Sequence, residues 1–285
     1  MIEADKYLKE TLEEILHYGW WDENPRPKWS DGSPAYSKFV THTIEKYNIS
    51  QGDFPIPTLR PTAINTGIKE ILWIYQKQSN CLFEANSMGI NWWDDFDVGN
   101  KTIGTAYGYT VKELKLIERL LYSLEKNPFS RRHIMNLWYE PFVKYQDRVG
   151  GLNPCAYMTT WSVTKLNKDQ YNVDVLLNIR SSDYLTAAFI NRCQYVALAQ
   201  MICSHLTVKT GIEHKVGKLT VVTANAHIYD RHVPFAKEIL SREGSDFQGS
   251  FKLKENKLFF DISLDDWVFD LPETKPLSEK LEIAV

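Results

Sequence analysis

Residues 157–179 read YMTTWSVTKLNKDQYNVDVLLNI, and this stretch decides the fold class. Its two halves, 157–164 and 171–179, alternate or run apolar and are rich in β-branched and aromatic side chains. The polar Asn167-Lys168-Asp169 separates them, which is the pattern of two strands joined by a turn. Working toward the C-terminus, residues 189–207 predict a long, mostly apolar helix and 216–223 (VGKLTVVT) another strand. A strand–turn set follows near 258–269. Toward the N-terminus, 110–126 predicts an amphipathic helix stopped by Asn127-Pro128, and 62–78 (TAINTGIKEILWIYQKQ) a buried helix carrying Glu70. The stretch from Asp22 to Pro34, polar and punctuated by proline, reads as loop. Residues 3–18 place Tyr7, Leu8, Leu12, Ile15 and Leu16 at helical spacing. Helices and strands are segregated, so an α+β fold with helices packed on a sizeable sheet is expected. With no repeat and no Gly/Ser linker, residues 1–285 are expected to form a single domain.

Composition narrows the function classes. Hydrophobic residues at 44% and charged residues at 24% suit a globular chain and oppose disorder. No apolar run approaches the roughly 18 residues a membrane span needs. The opening MIEADKYLKE is too polar for a secretory signal, so a cytoplasmic location is expected. A net charge of −3 argues against a general nucleic-acid binder, so any anion site must be a local cluster. Cys81, Cys155, Cys193 and Cys203 form no CxxC and no zinc spacing, and are expected to be free thiols with no metal.

Some residues carry chemistry by their surroundings. Cys81, Cys193 and Cys203 sit among apolar helical neighbours and read as small hydrophobes. Cys155 follows Gly150-Gly151-Leu152-Asn153-Pro154 and precedes a strand, where a thiol can react if a cation lowers its pKa. Arg131-Arg132 follow Ser130 at a helix end, and Arg180-Ser181 end a strand; such arginines serve either helix-end charge or bidentate phosphate binding. Asp183 and Asn191 flank the apolar YLTAAFI and read either as helix caps or as ligand contacts. His227 and Tyr229, two apart on a strand, share one face with two hydrogen-bonding groups. Glu70 is a carboxylate in an apolar helix, either paired with a cation or desolvated toward proton transfer.

Taken in order, Arg26, KEILW at 69–73, WD at 93–94, AYG at 106–108, NPxSRR at 127–132, PC at 154–155, RSxD at 180–183, Asn191, HIY at 227–229 and the final Ile283-Ala284-Val285 resemble the thymidylate synthase family over nearly the whole chain. The resemblance is to a divergent bacterial or viral branch. It implies a large mixed β-sheet flanked by helices, with sheets packed back to back in a homodimer. It implies Cys155 as the nucleophile adding to C6 of deoxyuridine monophosphate (dUMP). Arg26, Arg180 and Ser181 would hold the 5′-phosphate, with Arg131 and Arg132 supplied by the other subunit. Asn191 would read the pyrimidine edge, and His227 and Tyr229 the deoxyribose hydroxyl. Asp183 would contact the pterin of 5,10-methylenetetrahydrofolate with Trp93 nearby, Glu70 and Tyr107 would order a proton-transferring water network, and Val285 would help close the site. The folate would supply both carbon and hydride. The arginine cluster would also help hold Cys155 as thiolate.

The chain departs from the family pattern in places. Thr58-Leu59-Arg60-Pro61 replaces the usual Thr-Thr-Lys-Arg, which affects the folate's glutamate tail; LTAAFI replaces a Gly/Pro run before Asn191; Thr223-Ala224-Asn225 replaces Gly-Gly-Asp; Phe96 stands for a second Trp and Ile179 for Gln. The nearest alternative is a deoxyuridylate hydroxymethylase (less so a deoxycytidylate one, because an Asp rather than Asn191 would suit cytosine). Another class is a catalytically inactive nucleotide- or RNA-binding homologue, which would need none of Cys155, Glu70 and Tyr107. Binding of its own messenger RNA has no sequence signature.

Overall fold

The computed structural model describes residues 1–285. In chain order its elements are α1 (Glu3–Tyr18), β1 (Trp20–Trp21), β2 (Ser37–Tyr47), α2 (Ile64–Ile71), α3 (Leu82–Ser87), α4 (Gly108–Glu113), α5 (Leu116–Lys126), β3 (Ile134–Asn136), α6 (Glu140–Arg148), β4 (Ala156–Asn167), β5 (Gln170–Ile179), β6 (Ser182–Asp183), α7 (Ala188–Thr210), β7 (Glu213–Tyr229), α8 (Val233–Ser241), β8 (Ser250–Leu253) and β9 (Trp267–Asp270). The large sheet runs β1-β2-β7-β5-β4-β3, with β6 also beside β7. β7 is parallel to β5 and β6, and the other pairs are antiparallel, so the sheet is mixed. β8 and β9 form a separate hairpin.

The parallel β5–β7 pair needs a crossover, and α7 supplies it. Sixteen of its 23 residues are buried, because a central helix packs on every side rather than along one stripe. Gly211 ends it in the left-handed region at φ +72°. α1 and α7 lie on one sheet face, and a single cluster of 64 buried residues fills the space between helices and sheet. Alternate residues of the strands point to the other, open face, where Ile44 is 58% exposed.

This topology fixes the edge at which chemistry can gather. The C-terminal ends of β5 and β7 meet at one edge, and β4, antiparallel to β5, begins there. Cys155, the Arg180–Asp183 run and the His227–Tyr229 pair are therefore neighbours by strand direction alone. A bulge between Ala156 and Met158 bends β4 as it leaves Cys155.

The expected strands at 157–164, 171–179 and 216–223 are present, each longer than the sequence pattern marks. β2 was not expected, because SKFVTHTIEKY hides its inward side among polar residues. One of these, Glu45, is buried and paired with Arg192 of α7, an ion pair that ties strand to helix. The helix expected over 110–126 is two helices, broken at Lys115, which takes φ +50°. Val111, Leu114, Ile117, Leu121 and Leu124 follow at spacings of three or four across the break, all buried except the half-buried Leu114, and neither Gly nor Pro announces it. The helix expected over 62–78 turns π-helical at Leu72–Gln76, which buries Leu72, Trp73, Ile74 and Tyr75 in succession. The region 258–269 is mostly short 3-10 turns, with its strand only at Trp267–Asp270. Cys81 is not within a helix; it precedes α3, half-buried, and bridges to Thr102. No helix is long and apolar enough to cross a membrane.

Candidate active site

A cavity of about 770 Å³ opens at the sheet edge defined above. Cys155 and Arg180 form its polar centre. The backbone N–H of Cys155 donates to the Tyr107 hydroxyl at 3.0 Å, and Arg180 N–H donates to the Cys155 carbonyl at 2.9 Å. The Arg180 guanidinium is itself seated by the carbonyls of Pro154 (3.0 Å) and Asn153 (2.8 Å), which leaves Nη2 at 3.5 Å from Cys155 Sγ. Arg26, from the loop before β2, lines the same space. Burial pushes the Cys155 thiol above its ordinary pKa, with the charges of Arg180 and then Arg26 pulling it back. The expectation that the arginines hold a thiolate is thus met in sign but outweighed by desolvation. Cys193 and Cys203 are buried in α7, and burial pushes both thiols far up, Arg192 opposing at Cys193 and Asp174 adding at Cys203, as suits small core hydrophobes.

Across the cavity stands Glu70, on the buried face of α2. Burial raises its pKa to about 7, against the pull of the Trp92, Trp93 and Gln194 N–H groups. It is paired with no cation, so the desolvated reading of this residue is the one that holds. Tyr107 holds φ +50°, a strained value for a residue with a side chain, and the chain passes so close to Ser79 that a Cβ at Gly108 would lie 2.0 Å from its carbonyl oxygen. That close approach fixes where the Tyr107 hydroxyl meets Cys155.

The remaining residues come from the strand ends. Asp183 accepts from the backbone of Leu185 (3.0 Å) and from the Thr186 hydroxyl (2.5 Å), so its carboxylate also shapes the turn into α7. Asn191 is not a cap, because α7 begins at Ala188 with no side-chain cap. His227 and Tyr229 share one face, with ring centroids 5.2 Å apart, and His227 Nδ1 bonds Asn225 Oδ1 at 3.0 Å. Burial lowers the His227 pKa, Asp183 opposing, and burial raises that of Tyr229. Ser181 and Trp93 also line the cavity.

The chain's last residues form part of the wall. Val285 exchanges two backbone hydrogen bonds with Lys28, at 2.7 and 3.0 Å. Glu282 accepts from Ser30 (2.6 Å) and Arg231 (3.0 Å), and its carbonyl bonds His232 at 2.8 Å. Ile283, Ala284 and Val285 therefore face the cavity from a pinned segment.

Two expected site residues lie elsewhere. Arg131 and Arg132 follow the end of α5, exposed, outside the cavity and with no acidic partner in the chain. Sequence reasoning missed Gln194, Tyr75 and Tyr195, which also line the cavity. Gln194 was findable, since it stands one helical turn beyond Asn191 on the same face. The Tyr75–Tyr195 hydroxyl pair, 2.9 Å apart, joins residues 120 positions distant and has no local signal.

Fold and cavity together define an α+β enzyme with its site at the edge of a mixed sheet. A sequence profile of the family described as thymidylate synthase matches residues 5–279. The thymidylate synthase of Streptococcus sanguinis (strain SK36) is 42% identical over 284 residues, covering 98% of this chain and 97% of its own. That of Streptococcus gordonii (strain Challis) is 42% identical over 287 residues, covering 99% and 98%. Among solved structures, the thermostable thymidylate synthase A from Bacillus subtilis matches with a TM-score of 0.82 at 29% identity, over 99% of both chains. The chain belongs to the thymidylate synthase family. The hydroxymethylase and binding-homologue alternatives are not favoured by these relatives.

Proposed function

We propose that this chain, acting as one catalytic domain over residues 1–285, converts dUMP to dTMP by reductive methylation. The observation that carries the reading is Cys155 Sγ at 3.5 Å from the Arg180 guanidinium, in a cavity that also holds the raised-pKa carboxyl of Glu70. Arg26, Arg180 and Ser181 bind the phosphate, so the pyrimidine enters with C6 toward the thiol. A bound dianion would partly neutralise the guanidinium charge, so Glu70 and its water network are given the task of taking the thiol proton. Sulfur then adds to C6, and the electron pair of the C5–C6 bond moves onto the ring carbonyl, making C5 a carbon nucleophile. Asn191 holds the ring edge, and His227 and Tyr229 the sugar hydroxyl.

5,10-Methylenetetrahydrofolate would supply the carbon and the hydride. The residues fit such a group. Trp93, Ile71, Ile74 and Phe96 give the adjoining wall an aromatic and apolar surface. Asp183 would face the pterin, and Ile283–Val285 would exclude water. Later Glu70 and Tyr107 assist departure of the C5 proton, and the C6–S bond breaks as the ring double bond re-forms.

The open face of the sheet is where a second copy would pack in a homodimer, with Arg131 and Arg132 completing the partner's phosphate site. Their exposure and lack of any acidic partner within the chain support that reading. The test is incubation with dUMP and methylenetetrahydrofolate, following dihydrofolate absorbance and product mass. A methylated product is expected; a hydroxymethylated product, or none, would overturn the proposal.

A further inference from the structure

Gln194 is 3% exposed and stands on α7 between Asn191 and Glu70. Its Nε2 donates to the carbonyl oxygen of Gly67 at 3.3 Å, and its Oε1 accepts from Asn191 Nδ2 at 2.9 Å. These contacts fix both amides, because a carbonyl oxygen only accepts. The Gln194 atom facing Gly67 is therefore the nitrogen, so the oxygen faces Asn191, and Asn191 must answer with its own nitrogen. Glu70 lies on the nitrogen side of Gln194 as a second acceptor, which reinforces the same orientation. Residue 67 packs tightly here: a Cβ there would sit 3.1 Å from Ile190 Cγ2 and 3.3 Å from Gln194 Cγ.

We propose that Gln194 is a positioning residue that locks the Asn191 amide with Oδ1 toward the cavity and thereby sets the preference for uracil over cytosine. The inference rests on the reading that Asn191 meets the pyrimidine edge. With Nδ2 held at Gln194, Asn191 offers one acceptor and one remaining N–H. Uracil complements that pair with its N3–H donor and O4 acceptor. Cytosine presents an acceptor at N3 and an amine at C4, so both contacts are mismatched. An amide free to rotate by 180° would tolerate either base, whereas a locked one leaves a buried polar atom unpaired against the wrong ring.

The test is titration of the whole protein with dUMP and with dCMP by calorimetry, comparing wild type with Gln194→Met and Gln194→Glu. Methionine keeps the bulk and removes both hydrogen bonds, so the dUMP/dCMP affinity ratio is expected to fall by about tenfold or more. A buried glutamic acid, protonated in that setting, donates to Gly67 and accepts from Asn191 as the amide does, and is expected to restore the ratio to within about threefold of wild type. An unchanged ratio in Gln194→Met, or an equal weakening of both nucleotides in both variants, would overturn the proposal. Asn191→Asp serves as the control on the underlying reading. If it moves the ratio while Gln194→Met does not, only the role of Gln194 falls. If it too leaves the ratio unchanged, base reading by Asn191 falls with it.

Discussion

At the scale of single residues, the site places two groups with opposite demands in one cavity. In the proposed reaction Cys155 loses a proton and Glu70 gains and loses one, yet burial raises the pKa of both. Cys155→Ser is expected to lower turnover by about 10⁴-fold or more, while dUMP affinity stays within a few-fold, because the proposed phosphate contacts come from other side chains. Normal turnover in that variant would exclude the covalent route. Glu70 titrates about neutrality, so the pH–rate profile is expected to show an inflection near 7 that Glu70→Gln removes. Its effect on stability has a definite sign. Between its unperturbed 4.5 and about 7 the folded state keeps a proton that the unfolded chain has lost, so stability falls as pH rises through that window. Glu70→Gln is expected to abolish that loss, worth on the order of 3 kcal/mol, in urea unfolding at pH 5 and pH 8. Parallel curves for the two proteins would contradict the raised value.

At the scale of elements, Glu45 of β2 and Arg192 of α7 form the one ion pair buried on both sides. Burial alone would push the Glu45 carboxyl up, but the charge of Arg192 and hydrogen bonds from Arg192, Tyr47 and Tyr184 bring it below the usual range. Arg192→Met leaves that carboxylate alone in the core and is expected to cost about 3–5 kcal/mol in denaturant unfolding. Adding Glu45→Leu is expected to recover most of it; equal losses in single and double variants would show that packing, not charge, is at stake. The same pair explains what the sequence could and could not tell. The strands at 157–164 and 171–179 were legible because their pattern is local. β2 was not, because its buried Glu45 takes its meaning from a partner 147 positions away. The α4–α5 break was hidden by an apolar stripe that continues across it. In the site, twelve of the fourteen expected residues do line the cavity, most at strand ends or turns and Glu70 and Asn191 within helices, each marked by its own short motif; Arg131 and Arg132 are the other two. Gln194 was legible in the same way, one helical turn beyond Asn191, whereas the Tyr75–Tyr195 pair was not, because it joins residues 120 positions apart.

At the scale of the whole molecule, the exposed Arg131 and Arg132 make a prediction about assembly. Mixing an Arg132→Ala chain with a Cys155→Ser chain is expected to restore activity, because one site of each hybrid dimer then carries both residues intact. Hybrids that form, shown by mass, yet stay inactive would place the phosphate site within one chain. β7 carries a further consequence. It is the neighbour of β2, β5 and β6 alike, and its pairing with β2 joins Ser37 to Tyr229. During synthesis, therefore, β2 leaves the ribosome with only the two residues of β1 to pair with. The local β4–β5 hairpin can form early, while the middle of the sheet waits until residue 213 and beyond have emerged. Nascent chains stalled before that point would display open strand edges and bind holding chaperones, and release would coincide with the moment Cys155, Arg180 and the His227–Tyr229 pair first come together.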